Sequence, residues 1–323
     1  MAFLIAYIIK SIVASGILFA WYLVALRNRK FHVYNRVYLL SAVVISLVLP
    51  FADLTCFEIK KPESSTFKSL VTVLSYSPAG HRSSSFSTYV IPACIVMISF
   101  FLLMVMIFKI GRVYRIKREC GHVRLGNVDF IETRLGNAPF SFLNNLFWRE
   151  GLNTTDSNSK RIFRHEMTHI RQRHTYDKLF IQTVACIEWM NPFIWLIRKE
   201  LNVVHEFMAD AAAIEDGDTG SFAMMLLQCH DHGRYLDPSH YFFQSPVLRR
   251  LNMVASPRSS ASNFVRKCLA LPLISLLLIL FSFKISTINN DTRIVQRIEK
   301  ESPSSTPQIA RTFYIRYRYW TVM

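Results

Sequence analysis

Apolar positions along the chain gather into four long runs separated by polar and basic stretches. Residues 3–26 are almost continuously apolar, long enough to cross a bilayer. A second run, VYLLSAVVISLVLPFA at 37–52, ends near Pro50, and a third, VIPACIVMISFFLLMVMIF, covers 90–108. A fourth covers about 269–288. Each predicts a transmembrane helix. The first run is too long for the apolar part of a signal peptide, lacks a basic leading region and flows directly into Arg27. Lys10 interrupts it and reads as a side chain snorkelling to the outer interface. A further apolar stretch, LFIQTVACIEWMNPFIWLI at 179–197, holds Glu188, Asn191 and Pro192 in its middle. That pattern predicts two buried helices, with Pro192 opening the second, rather than a fifth span.

Between the runs the pattern changes. Residues 53–88 are polar and rich in serine, which predicts a loop. Ser65 and Lys68 form an S-x-x-K sequence, but no S-D-N or K-T-G partner accompanies it, so chance explains it. Residues 122–150 hold short β-like runs, Val128–Thr133 and Pro139–Phe142 among them, broken by Gly126, Gly136 and Pro139. They predict a small sheet whose edge could bind a peptide backbone by strand addition. A helix over 159–173 is expected next, a Ser-rich linker over 252–267, and a short strand in FYIRYRYW at 313–320.

Charge orients these elements. The 323-residue chain carries a net charge of +16. The basic residues crowd beside the apolar runs: Arg27, Arg29, Lys30 and Arg36; Lys109, Arg112, Arg115, Lys117 and Arg118; Arg249, Arg250, Arg258, Arg266 and Lys267. This distribution favours the positive-inside rule over nucleic-acid binding, for which no recognisable module is present. The expected plan has a membrane region over 1–110, with three spans and an external loop at 53–88. A cytoplasmic domain over 111–267 follows, then the fourth span at 269–288 and an external tail at 289–323. The chain is thus expected in the bacterial cytoplasmic membrane, with both termini outside. Arg249-Arg250 reads as an exposed pair, a membrane-flank anchor or a self-cleavage point. The six cysteines form no C-x-x-C pair, and hence neither a disulfide framework nor a thiolate metal site.

The candidate chemistry lies in RIFRHEMTHIRQRHT at 161–175. His165 and His169 are four residues apart, so on a helix they share a face and can grip one ion, with Glu166 beside them as a general base. A zinc peptidase needs a third protein ligand and one open position. Glu206, in ELNVVHEFMADAAA at 200–213, can supply it, and Asp210, one turn on, can hydrogen-bond a ligand imidazole. His205 is the rival, pointing about 100° away round the helix; His174 and Glu200 are weaker rivals.

These features together resemble the membrane zinc peptidases of the BlaR/MecR type, peptidase family M56. The resemblance rests on NRVYLL at 35–40, APFSF at 138–142, HEMTHIRQRH at 165–174, NPFIWLIRKEL at 191–201 and HEFMAD at 205–210. It implies an α-helical membrane protein with four transmembrane helices and an α+β cytoplasmic metallopeptidase domain of the gluzincin, zincin-like class. It implies one Zn2+ held by His165, His169 and Glu206, with Glu166 as the base and Asp210 behind a ligand. It further implies a protein substrate, a winged-helix transcriptional repressor of the BlaI/MecI type, cleaved as part of antibiotic-resistance signalling. The best-known members carry a large external penicillin-binding sensor, whereas only 40 residues, 284–323, lie beyond the body of the last expected span. An external protein or envelope component is therefore the expected signal. An M48-like quality-control peptidase is the alternative enzyme, although the short separation of His169 and Glu206 and the NPFIWL block favour M56. A non-catalytic signalling scaffold is the third reading.

Overall fold

The first apolar run folds as α1 (Ala2–Trp21), which continues through a π-helical turn over Tyr22–Leu26. The structure, a computed structural model, describes residues 2–51, 57–59, 85–136, 138–152, 156–214, 218–224, 246–255 and 283–285. After α1 the chain reverses and returns as α2 (His32–Val48), ending in a 3-10 turn over Leu49–Phe51. Two polar side chains inside this apolar pair donate to backbone carbonyls of the same hairpin. Tyr38 Oη donates to the Leu18 carbonyl at 2.9 Å, and Asn35 Nδ2 to that of Leu26 at 3.1 Å.

The third run is part of a longer helix, α3 (Ser85–Glu119). At about 1.5 Å per residue its 35 residues reach roughly 52 Å, well past the hydrocarbon layer. The helix continues through the basic cluster from Lys109 to Arg118, where Gly111 is the one poor helix former. Among the described residues, three segments are long and apolar enough to cross a membrane: Leu4–Leu26, His32–Phe51 and Tyr89–Glu119.

A four-stranded sheet follows: β2 (His122–Leu125), β3 (Val128–Thr133), β4 (Phe140–Phe142) and β5 (Asn145–Arg149), in the order β2-β3-β5-β4. Gly126, at φ +63°, opens the two-residue turn between β2 and β3. β3 and β5 run parallel, while β4 runs antiparallel to β5 and forms an edge. Lys117 near the end of α3 donates to Asp129 Oδ2 and Asn145 Oδ1, both at 2.6 Å, and ties that helix to β3 and β5. A separate pair joins β1 (Phe57–Ile59) in parallel to β6 (Phe283–Ile285).

The metal-motif helix is α4 (Ser157–Arg171), capped by Asp156, whose carboxylate accepts from the Asn158 amide. Arg173, at φ +57°, turns the chain into α5 (His174–Ile187). Asn191 then caps α6 (Pro192–Ala213), with Pro192 in its first turn as expected. Residues 219–224 are helical, and α7 (Pro246–Ala255) closes the segment.

The main core is shared rather than divided between a membrane part and a separate domain. Leu18, Tyr22, Leu39 and Val43 of the first hairpin pack with Ile181, Ala185, Ile194, Ile197 and Leu201 of α5 and α6. The α5–α6 hairpin lies lengthwise along α1. Glu200 is hydrogen-bonded by Tyr22 Oη at 3.3 Å near one end, and Glu188 by Tyr7 Oη at 3.0 Å and Ser11 Oγ at 2.6 Å near the other. Gly16 permits this approach: a Cβ there would sit 2.9 Å from the Phe193 ring.

Several expectations change. Residues 85–88 are helical rather than part of the loop, and Phe283–Ile285 form a strand rather than the end of the fourth span. The pair Arg249-Arg250 lies on α7, not in an exposed linker, because each guanidinium is held by a buried carboxylate. Residues 252–255 also belong to that helix. The remainder of the fourth span, the linker over 256–267, the S-x-x-K sequence and the stretch 313–320 lie outside the described residues.

Candidate metal centre

An apolar stripe on α4 faces the sheet and its polar face turns toward α6. Ile162, Phe163, Met167 and Ile170 pack with Leu146 and Trp148 of β5. This leaves His165 and His169 directed at the C-terminal half of α6, where Glu206 projects between them. His165 Nε2 lies 3.3 Å from His169 Nε2 and 3.4 Å from Glu206 Oε2, and His169 Nε2 lies 3.6 Å from Glu206 Oε1. Donors about 2.0–2.1 Å from a tetrahedral ion stand roughly 3.3–3.4 Å apart, which follows from the geometry of four-coordinate zinc. The three donors therefore fit a small ion, and all their ligand atoms fall within 4.8 Å of one another.

Asp210, fully buried one turn beyond Glu206, stands 3.2 Å from His165 Nδ1. It has a second partner that the sequence did not suggest. Arg250 Nε donates to Asp210 Oδ2 at 2.7 Å, a second guanidinium nitrogen bonds Oδ1, and Nη1 lies 3.5 Å from Glu206. Glu166 reaches the other way, toward the edge strand, where the Ser141 hydroxyl donates to its carboxylate.

Burial and charge divide the protons unevenly. Burial works against a proton on His165, but the hydrogen bonds it donates to Asp210 and Glu206 prevail and lift its pKa to about 9. Burial holds the neighbouring His169 down to about 3. Burial alone would raise Glu206, yet His165 beside it draws it well below the usual carboxylate range. Burial pushes Glu166 up, against the pull of His165 and the Ser141 bond.

The rival ligands are engaged elsewhere. His205 Nε2 bonds Asp177 Oδ2 at 2.9 Å, and its ring stacks on His174 at 4.2 Å. Glu200 is held by Arg249 at 2.9 Å and lies 3.3 Å from Arg27. His174 is not a ligand but touches one, its Nδ1 lying 2.8 Å from His169 Nδ1. Sequence reasoning missed the roles of His174, Ser141 and Arg250. The S at the centre of APFSF and the H closing HEMTHIRQRH were visible, but nothing in their spacing placed them against the site.

Residues 152–254 match the family model described as BlaR1 peptidase M56. Over this segment the chain is similar to the M56 peptidases. The matched residues span about a third of the chain and contain α4, α5, α6 and nearly all of α7, hence every candidate ligand. No curated protein matches the chain. The M56 segment and the three long apolar helices together fit a membrane protein with a BlaR1-like metallopeptidase domain.

Proposed function

We propose that this protein is an integral-membrane zinc endopeptidase of gluzincin type, with His165, His169 and Glu206 as ligands and Glu166 as general base. The observation that carries the reading is the tetrahedral spacing of the three donors beside a carboxylate that faces an edge strand. When bound, zinc supplies Lewis acidity that activates water and polarises the scissile carbonyl. A substrate backbone adds to β4 as an extended strand, which presents one peptide bond to Glu166. Glu166 accepts the proton of the attacking water and returns it to the leaving amine. Asp210 fixes the His165 ring, and Arg250 holds the Asp210 carboxylate in place.

The substrate class that the resemblance supports is a cytoplasmic winged-helix repressor, so that cleavage carries a signal inward from the envelope. The apolar run from about 269 up to β6 would supply the fourth span. β1 lies in the loop expected outside and β6 at the end of that run, and their pairing supports an external side for both. A protein or envelope component is the fitting signal there.

Purified protein is expected to hold about one zinc per chain. Glu206→Ala should lose most of it, whereas Glu166→Gln should keep the metal and lose peptide cleavage. Unchanged cleavage by Glu166→Gln would overturn the mechanism, and full zinc retention by Glu206→Ala would overturn the ligand set.

A further inference from the structure

Behind His169, on the side away from the metal position, His174 sits fully buried in a polar box. Its Nδ1 lies 2.8 Å from His169 Nδ1, and its Nε2 lies 3.1 Å from Gln172 Oε1. With the Gln172 amide oxygen facing His174, these contacts assign the protons. An amide oxygen only accepts, so His174 carries its proton on Nε2 and offers a lone pair at Nδ1. His169 must then donate from Nδ1, which leaves its Nε2 lone pair free toward His165 and Glu206. The opposite tautomer of His174 would place a proton on His169 Nε2 and remove it as a ligand. Ligating histidines depend on such partners for ring orientation and basicity.

The box is closed from the membrane hairpin. His205 covers the face of the His174 ring at 4.2 Å and is held by Asp177 Oδ2 at 2.9 Å. Arg36, on α2, donates from Nε to the same Asp177 oxygen at 2.6 Å and from Nη2 to the Gln172 carbonyl at 2.8 Å. One guanidinium thus grips both walls around His174, the Gln172 side and the Asp177–His205 side. Arg36 belongs to a helix long and apolar enough to cross the membrane.

We propose that His174 is a positioning residue that sets the ligating tautomer of His169, and that Arg36 of the membrane helix α2 holds it in that state. The inference rests on the metal centre proposed above. It makes the seating of α2 against α5 a determinant of metal affinity, so that a movement of the spanning helix reaches a zinc ligand through three side chains.

The test measures zinc affinity of the full chain in micelles by competition with a chromophoric chelator, with thermal unfolding recorded in parallel. His174→Phe keeps the stacked ring but has no acceptor, and should weaken zinc by about 10- to 100-fold. His174→Asn can return an acceptor oxygen near the lost nitrogen and should recover part of that loss. Arg36→Gln should weaken zinc several-fold. Tyr38→Phe, which removes a buried hydrogen bond to Leu18 on the same helix, serves as the structural control. It should lower the unfolding temperature and leave zinc affinity unchanged. Wild-type affinity in both His174→Phe and Arg36→Gln would overturn the proposal, as would an equal loss in Tyr38→Phe. If the wild type itself binds no zinc, the metal reading fails and takes this inference with it. Zinc bound by the wild type, lost in Glu206→Ala and unaffected by His174→Phe, would overturn the positioning role alone.

Discussion

His165 stands between two carboxylates that hold a proton on it in the metal-free protein. Ion and proton compete for the same imidazole, so zinc affinity should rise with pH throughout the range below the folded value of about 9 and level off above it. Chelator competition at stepped pH measures this, and a flat profile would show that His165 holds no proton. The sign reverses for the stability of the metal-free fold. A raised folded pKa stabilises fully below the unfolded value, and the contribution is lost as pH rises through the folded one. The motif that creates this competition could be read from the chain because four residues of helix carry His169 back over His165. His174 could not, since Arg173 in the left-handed region turns α5 away from the helical register. Arg250 stands 40 residues beyond Asp210, and charge alone suggested a membrane flank rather than a partner for a buried carboxylate.

Among the elements, the α5–α6 hairpin joins the membrane helices to the metal centre. Its polar tip is bonded to α1: Glu188 accepts from Tyr7 and Ser11, and Asn191 Nδ2 donates to Ser15 Oγ at 3.1 Å. Glu188, Asn191 and Pro192 marked the bend between two helices in the sequence. They could not show that the pair lies along α1, because hydrophobicity does not distinguish a face covered by lipid from one covered by protein. The contact at Gly16 tests the packing. Gly16→Leu should cost about 1–3 kcal/mol by overpacking against Phe193. Phe193→Ala in the same chain should make the double variant less destabilised than the sum of the two singles. Unfolding in micelles reads all three variants, and strict additivity would mean that α1 and α6 do not meet at this point.

At the scale of the whole molecule, sidedness follows from which helix end touches the metal region. The turn after α1 and the start of α2 meet it three times: Asn28 Oδ1 accepts from Arg249 at 3.0 Å, Arg27 lies 3.3 Å from Glu200, and Arg36 bonds Asp177. The opposite ends of α1 and α2 meet each other instead, with Tyr7 Oη 3.3 Å from the Leu47 carbonyl. α5 and α6 enter and leave on one side, so they change the sidedness of nothing that follows. Arg27, Arg29, Lys30 and Arg36 mark the shared side as basic, and the positive-inside rule assigns basic flanks to the cytoplasm. Reporter fusions at residues 30 and 150 should therefore read inside, and those at 70 and 310 outside. A fusion at 214, just beyond α6, should also read inside, because a hairpin that dips into the membrane returns to the side it left. An outside signal at 214 with an inside signal at 150 would require α5–α6 to cross the membrane. Glu206 would then be separated from His165 and His169 by the bilayer, and no single ion could be held by all three.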